Sequence, residues 1–100
     1  MDARSNLRRA ARRDVSEQPI VDTFKRLGWS VLRISDKGAP DLLAGRQHHL
    51  VLIEVKTGKG KLTSDQEDWH GAWLGPKPLI FRDATDVLNF HNSLLHTHGR

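Results

Sequence analysis

Three side chains in this sequence, Asp41, Glu54 and Lys56, have the types and spacing to act together on a phosphate ester. Residues 41–45 and 49–57 read as two strands, the second rich in Val, Leu and Ile. A two-residue turn centred on Gln47 and His48 would pair positions whose numbers sum to 95, so that Asp41 faces Glu54 directly. Side chains alternate along a strand, which puts Lys56 on the same side of the sheet as Glu54. The opposite side, Leu42, Ala44, Val51, Ile53 and Val55, is a continuous apolar face. Leu43, Leu50 and Leu52 make the acidic side apolar too, away from its charged end. The pattern predicts interior strands with ionic groups at one end.

An acidic pair of this kind is costly alone. Like charges directly opposite on a sheet repel, and partly buried carboxylates either take up a proton or meet a cation. Two carboxylates a few ångströms apart suit Mg²⁺ or Mn²⁺, hard ions that keep several waters. Such an ion can polarise a phosphodiester and acidify a bound water, while Lys56 could orient that water or offset charge on the phosphate. The plainer alternative is a surface hairpin in which Lys56 merely offsets Glu54. A slip in register would also undo the pairing.

The residues around this trio carry a resemblance. Pro40-Asp41 followed by Glu54-Val55-Lys56 resembles the PD-(D/E)XK nuclease superfamily. More narrowly, Gly38-Ala39-Pro40-Asp41-Leu42, Ile53-Glu54-Val55-Lys56-Thr57, Gly58-Lys59-Gly60-Lys61-Leu62 and Gln66 are similar to the virus-type replication-repair nuclease (VRR-NUC) group, relatives of archaeal-type Holliday junction resolvases. The similarity spans about residues 16–82. It implies a restriction-endonuclease-like core and a Mg²⁺-dependent endodeoxyribonuclease acting in DNA repair or recombination on branched or Holliday-junction DNA, with Mn²⁺ able to substitute. It further implies Asp41, Glu54 and the Val55 carbonyl as metal ligands, Lys56 as catalytic lysine, and a homodimer. Glu17 matches a glutamate found near the metal on the first helix, although it is equally placed to be a favourable charge in a first helical turn. Gln66 matches a glutamine that helps position the site. It also completes a capping box with Thr63, and the two roles can coexist.

The elements that must position these groups follow in the order α-β-β-β-α-β-α, an α/β arrangement with a mixed sheet flanked by helices. Ile20, Phe24 and Leu27, with Val21, recur at helical spacing from about residue 14 to 27, with Ser16 as cap, Pro19 in the first turn and Gly28 as stop. Residues 29–34 alternate as a strand. A second helix is expected at about 64–74, where Trp69 and Trp73 lie one turn apart and Gly75-Pro76 end it. Leu79 to Phe81 reads as a short strand and residues 85–95 as a last helix, leaving 96–100 as a loose tail and 14–95 as one domain.

Charge adds a partner. Residues 1–13 hold Arg4, Arg8, Arg9, Arg12 and Arg13 against Asp2, so the whole net charge of +4 lies there and the body is neutral. Arg8, Arg9, Arg12 and Arg13 on such an arm could neutralise DNA phosphates, as could Lys59 and Lys61 between glycines; solvated basic segments are the alternative in both cases. The glycine loop lacks P-loop spacing, so no nucleotide cofactor is expected. With no cysteine, no apolar run of membrane-spanning length and no secretory leader, a cytoplasmic protein is expected. The six histidines do not fall at zinc-ligand spacing. His70 and His91 read as surface or interface residues, and Trp69 and Trp73 as core or dimer contacts rather than base-stacking groups.

Overall fold

The computed structural model describes residues 14–98, with the side chains of 96–98 left aside. The arginine arm, including Arg8, Arg9, Arg12 and Arg13, lies outside the described residues. The hairpin comes first in the logic of the fold. β2 (Leu42–Arg46) and β3 (His49–Val55) pair antiparallel around Gln47 and His48, with Leu42 opposite Ile53 and Arg46 opposite His49. This is the expected register. Gln47 takes a left-handed φ of 55°, the backbone conformation such a tight turn requires.

β1 (Ser30–Arg33) adds antiparallel to β2, and β4 (Leu79–Phe81) adds parallel to β3, giving a four-stranded mixed sheet in the order β1-β2-β3-β4. The chain is therefore α/β. β2 and β3 are the central strands, as their double-sided apolar pattern implied. α1 (Glu17–Arg26) and α3 (Ala84–His98) cover one face. Ile20, Val21, Phe24 and Val87 from the helices meet Leu42, Ala44, Ile53, Val55 and Phe81 from the sheet, with Trp29 closing the side. Phe24 packs edge-on against Trp29 and stacks on Phe81. Burial on this scale stabilises by about 1.5–3 kcal/mol for each large aliphatic or aromatic side chain.

Three details differ from expectation. Ser16 stands at the cap position of α1, but its backbone is helical and its hydroxyl does not bond the helix; it contacts Thr57 Oγ1 instead, at 3.3 Å. α3 continues past the expected end at residue 95, to His98. Among the described residues, the second face of the sheet is not closed like the first. α2 (Ser64–Ala72) crosses only its Glu54 end and has no buried residue, and Leu50 remains 68% exposed. Alternation places Leu32, Leu43, Leu50, Leu52 and Ile80 on this open side, so apolar sequence there does not mean a second core.

Candidate functional site

Asp41 stands one residue before β2, and the register carried one step further sets it opposite Glu54. Local bonds hold it there: its carbonyl accepts from Ile34 N at 2.8 Å, and its Oδ2 accepts from Val55 N at 2.8 Å. The preceding Pro40 is fully buried. Gly38, with φ 78°, lets the first turn of α2 come close, since an added Cβ would lie 2.9 Å from the Asp65 carbonyl.

Glu54 is 1% exposed. Both its oxygens are held from α2: Gln66 Nε2 donates to Oε2 at 3.1 Å, and His70 Nε2 lies 3.1 Å from Oε1. Burial pushes its carboxyl up from 4.5 to about 8. Part of that rise comes from a hydrogen bond to the Asp41 carboxyl and the charge of Asp41, with a smaller share from Asp14, while Lys56 opposes it. Two carboxyl groups can hydrogen-bond each other only through a proton, so the pair holds one at neutral pH. Lys56 follows β3, where its backbone N donates to the Phe81 carbonyl at 3.1 Å, and its ammonium is close enough to act on Glu54. Asp41, Glu54 and Lys56 thus meet as the hairpin arithmetic required.

Gln66 both caps its helix and bonds Glu54. Thr63 N donates to its Oε1 at 2.9 Å and its own N donates to Thr63 Oγ1 at 3.2 Å, a complete capping box. With the amide oxygen committed to the cap, the NH₂ is turned towards Glu54. Glu17, in the first turn of α1, is 3% exposed, and Arg33 Nε donates to its Oε2 at 2.7 Å. Lys59 and Lys61 are exposed. Their loop is anchored by a residue the sequence gave no reason to choose: Arg82 Nη1 donates to the carbonyls of Gly58 and Gly60, at 2.6 and 3.0 Å.

Both helical histidines need correcting. His91 is a core residue whose Nδ1 accepts from Trp29 Nε1 at 3.1 Å. His70 belongs to the site, through Glu54. Burial, then the charges of Lys77 and Lys56, lower its pKa, so at neutral pH its contact with Glu54 is a hydrogen bond between neutral groups. Its signal was present in the spacing: positions 66 and 70 share one helical face. Asp14 and Thr57 were not foreseen. Thr57 Oγ1 donates to Asp14 Oδ1 at 3.0 Å, which ties the start of α1 to the segment beyond Lys56. Trp69 and Trp73 are not core residues; they stack on each other outside the sheet, centroids 4.7 Å apart.

Comparisons with known protein families, curated proteins and solved structures find no match to this chain. Among the described residues no three His, Cys, Asp or Glu side chains form a group that could hold a metal ion, and no helix is long and apolar enough to cross a membrane.

Proposed function

We propose that this chain is a metal-dependent DNA endonuclease with Asp41, Glu54 and Lys56 as its active site, on a restriction-endonuclease-like variant of the α/β fold. The observation that carries the reading is the meeting of Asp41 and Glu54 with Lys56 alongside, burial and the neighbouring Asp41 carboxyl pushing the Glu54 carboxyl up to about 8. The resemblance to PD-(D/E)XK nucleases of the VRR-NUC group rests on the same residues.

The donor set suits a hard divalent ion. Mg²⁺ is held through one or two carboxylates and keeps its waters, so it does not need a three-residue cage. Asp41 and Glu54 would bind it, with the Val55 carbonyl, which in an extended strand points to the same edge as the Val55 N–H that meets Asp41. When bound, the ion would polarise the scissile phosphate and acidify a water. Gln66 and His70 fix the Glu54 oxygens, Lys56 offsets charge developing on the phosphate, and Lys59, Lys61 and the arginine arm hold the backbone of the DNA. Glu17 is a ligand only at the cost of its bond to Arg33.

Branched or junction DNA as substrate, and a homodimer presenting two sites, follow from the resemblance. The test compares a four-way junction, a flap and a linear duplex under Mg²⁺, with Asp41→Ala as control. Junction or flap cleavage abolished by EDTA and by Asp41→Ala supports the reading. Cleavage surviving both sinks the mechanism, equal cutting of duplex indicates a nicking or restriction-like enzyme, and binding without cleavage under Mg²⁺ or Mn²⁺ indicates a non-catalytic DNA-binding protein.

A further inference from the structure

α2 presents one stripe towards the Glu54 end of the sheet: Gln66, Trp69, His70 and, as the helix ends, Trp73, positions that share a helical face. The acidic residues Asp65, Glu67 and Asp68 fall outside it. Gln66 and His70 are spent on Glu54. The two indoles bury nothing in the core, yet they are tightly held. They stack with an interplanar angle of 15°. Trp73 Nε1 donates to the Pro76 carbonyl at 3.1 Å, and Gly75 packs so closely that an added Cβ would lie 2.8 Å from that nitrogen. Lys77 Nζ ties the same turn together by donating to the carbonyls of His70 and Trp73, at 2.7 and 3.1 Å. The result is a large aromatic residue that is 39% exposed, fixed in orientation, and on the same helical face as Gln66 and His70, the two residues that hold Glu54.

We propose that Trp73, backed by Trp69, is a stacking platform for an unpaired nucleobase one or two nucleotides from the phosphate held at Asp41 and Glu54. The inference rests on the nuclease reading and deepens it, because it names unpaired nucleotides beside the cut as the feature the site selects. A base in a duplex has both faces covered by its neighbours. A base in a flap, a single strand or an opened branch point has a free face, and stacking on an indole is tolerant of sequence. Pre-ordering matters: the pinned ring loses little freedom on binding, so most of the stacking energy reaches affinity. The acidic side chain nearest the stripe on α2 is Asp65, one turn before Trp69, and its charge is offset by Lys37 at 3.6 Å.

Intrinsic fluorescence can test this without cleavage. Trp29 is 3% exposed, bonded to His91 and shielded from solvent, so quenching by DNA reports on Trp69 and Trp73. In EDTA, short single-stranded oligothymidine should quench the protein strongly. Trp73→Leu should remove most of that quench and weaken single-strand binding by about 5- to 100-fold, the range of one lost stacked base, while duplex affinity changes less than about twofold. Trp73→Phe should restore much of the affinity. Unchanged single-strand affinity in Trp73→Leu overturns the platform and leaves the nuclease reading intact. Failure of the parent protein to bind any DNA overturns both. If sedimentation shows that Trp73→Leu turns a dimer into a monomer with single-strand binding unaltered, the ring is a contact between copies and the platform is wrong.

Discussion

Among the described residues two carboxylates are buried, Glu17 and Glu54, and their surroundings differ in kind. Glu17 in α1 is 3% exposed and receives a guanidinium bond from Arg33 at 2.7 Å. Glu54 in β3 is 1% exposed; the neutral amide of Gln66 donates to it, His70 Nε2 lies 3.1 Å away, and a second carboxyl, Asp41, stands against it. A fold that needs a buried acid only for structure brings the counter-charge with it, because an unpaired buried charge is expensive. Glu17 has that arrangement. Glu54 is satisfied in hydrogen bonds but not in charge, and the deficit appears as a proton held up to about pH 8. On the proposed reading, this difference, more than burial itself, separates a cation site from a structural ion pair.

The contrast is broken or sharpened most strongly by removing each acid in turn. Glu54→Gln, which keeps shape and hydrogen bonding, should lower Mg²⁺-dependent DNA cleavage by about 10²–10³-fold or more, as loss of a group that holds transition-state charge does. Glu17→Gln should leave cleavage within about threefold and instead cost about 1–3 kcal/mol of stability, read by urea unfolding, because Arg33 loses its charged partner and keeps only the neutral Gln18. If the two substitutions depress cleavage equally, Glu17 is a ligand and the contrast is false.

A smaller effect separates cap from site at Gln66. Gln66→Glu retains an acceptor for Thr63 N, so the capping box survives, but it faces Glu54 with a carboxylate in place of an NH₂. Cleavage should fall by about tenfold, consistent with a positioning group worth roughly 1.4 kcal/mol, while α2 remains helical by circular dichroism. An unchanged rate would confine Gln66 to the cap.

The pH dependence of stability follows from the sign of the Glu54 shift. Its folded value, about 8, lies above the ordinary 4.5, so the folded state binds the proton more tightly than the unfolded chain. The stabilisation is fully present below pH 4.5 and is lost as pH rises through about 8. Urea midpoints in EDTA should therefore fall between pH 5 and 9 relative to Glu54→Gln, whose own profile lacks this component. Parallel profiles would remove the basis for an uncompensated pair. The smallest effect concerns the arm: deleting residues 1–13 should reduce the salt slope of DNA binding by up to about five phosphate contacts, and an unchanged slope would take the arm out of the interface.

Much of this was legible in the sequence for reasons that are local. A two-residue turn fixes hairpin register, so the meeting of Asp41 and Glu54 follows from position numbers alone. Strand alternation then placed Lys56, and Thr63-x-x-Gln66 announced its cap. What escaped was tertiary. Nothing in the spacing of α1 says that Asp14 and Ser16 reach Thr57, forty-odd residues away, and the hydroxyl of Ser16 is diverted there from the cap it was expected to make. His70 was legible only in part, since sharing a face with Gln66 matters once that face is known to cross Glu54. The open side of the sheet misled for a physical reason: Leu43, Leu50 and Leu52 made the two strands read as interior on both faces, yet Leu50 is 68% exposed, because an apolar strand pattern does not reveal whether a helix covers it.

The most direct test of the central claim is proton release on metal binding. Titrating Mn²⁺ into the protein at pH 7 in weak buffer, by calorimetry with pH-stat recording, should give one site that releases close to one proton per ion, because Glu54 is protonated below about 8 until a cation displaces the proton. Glu54→Gln and Asp41→Ala should abolish both the binding and the release. Binding that proceeds without proton release, or that is unaltered in those two variants, would contradict the account.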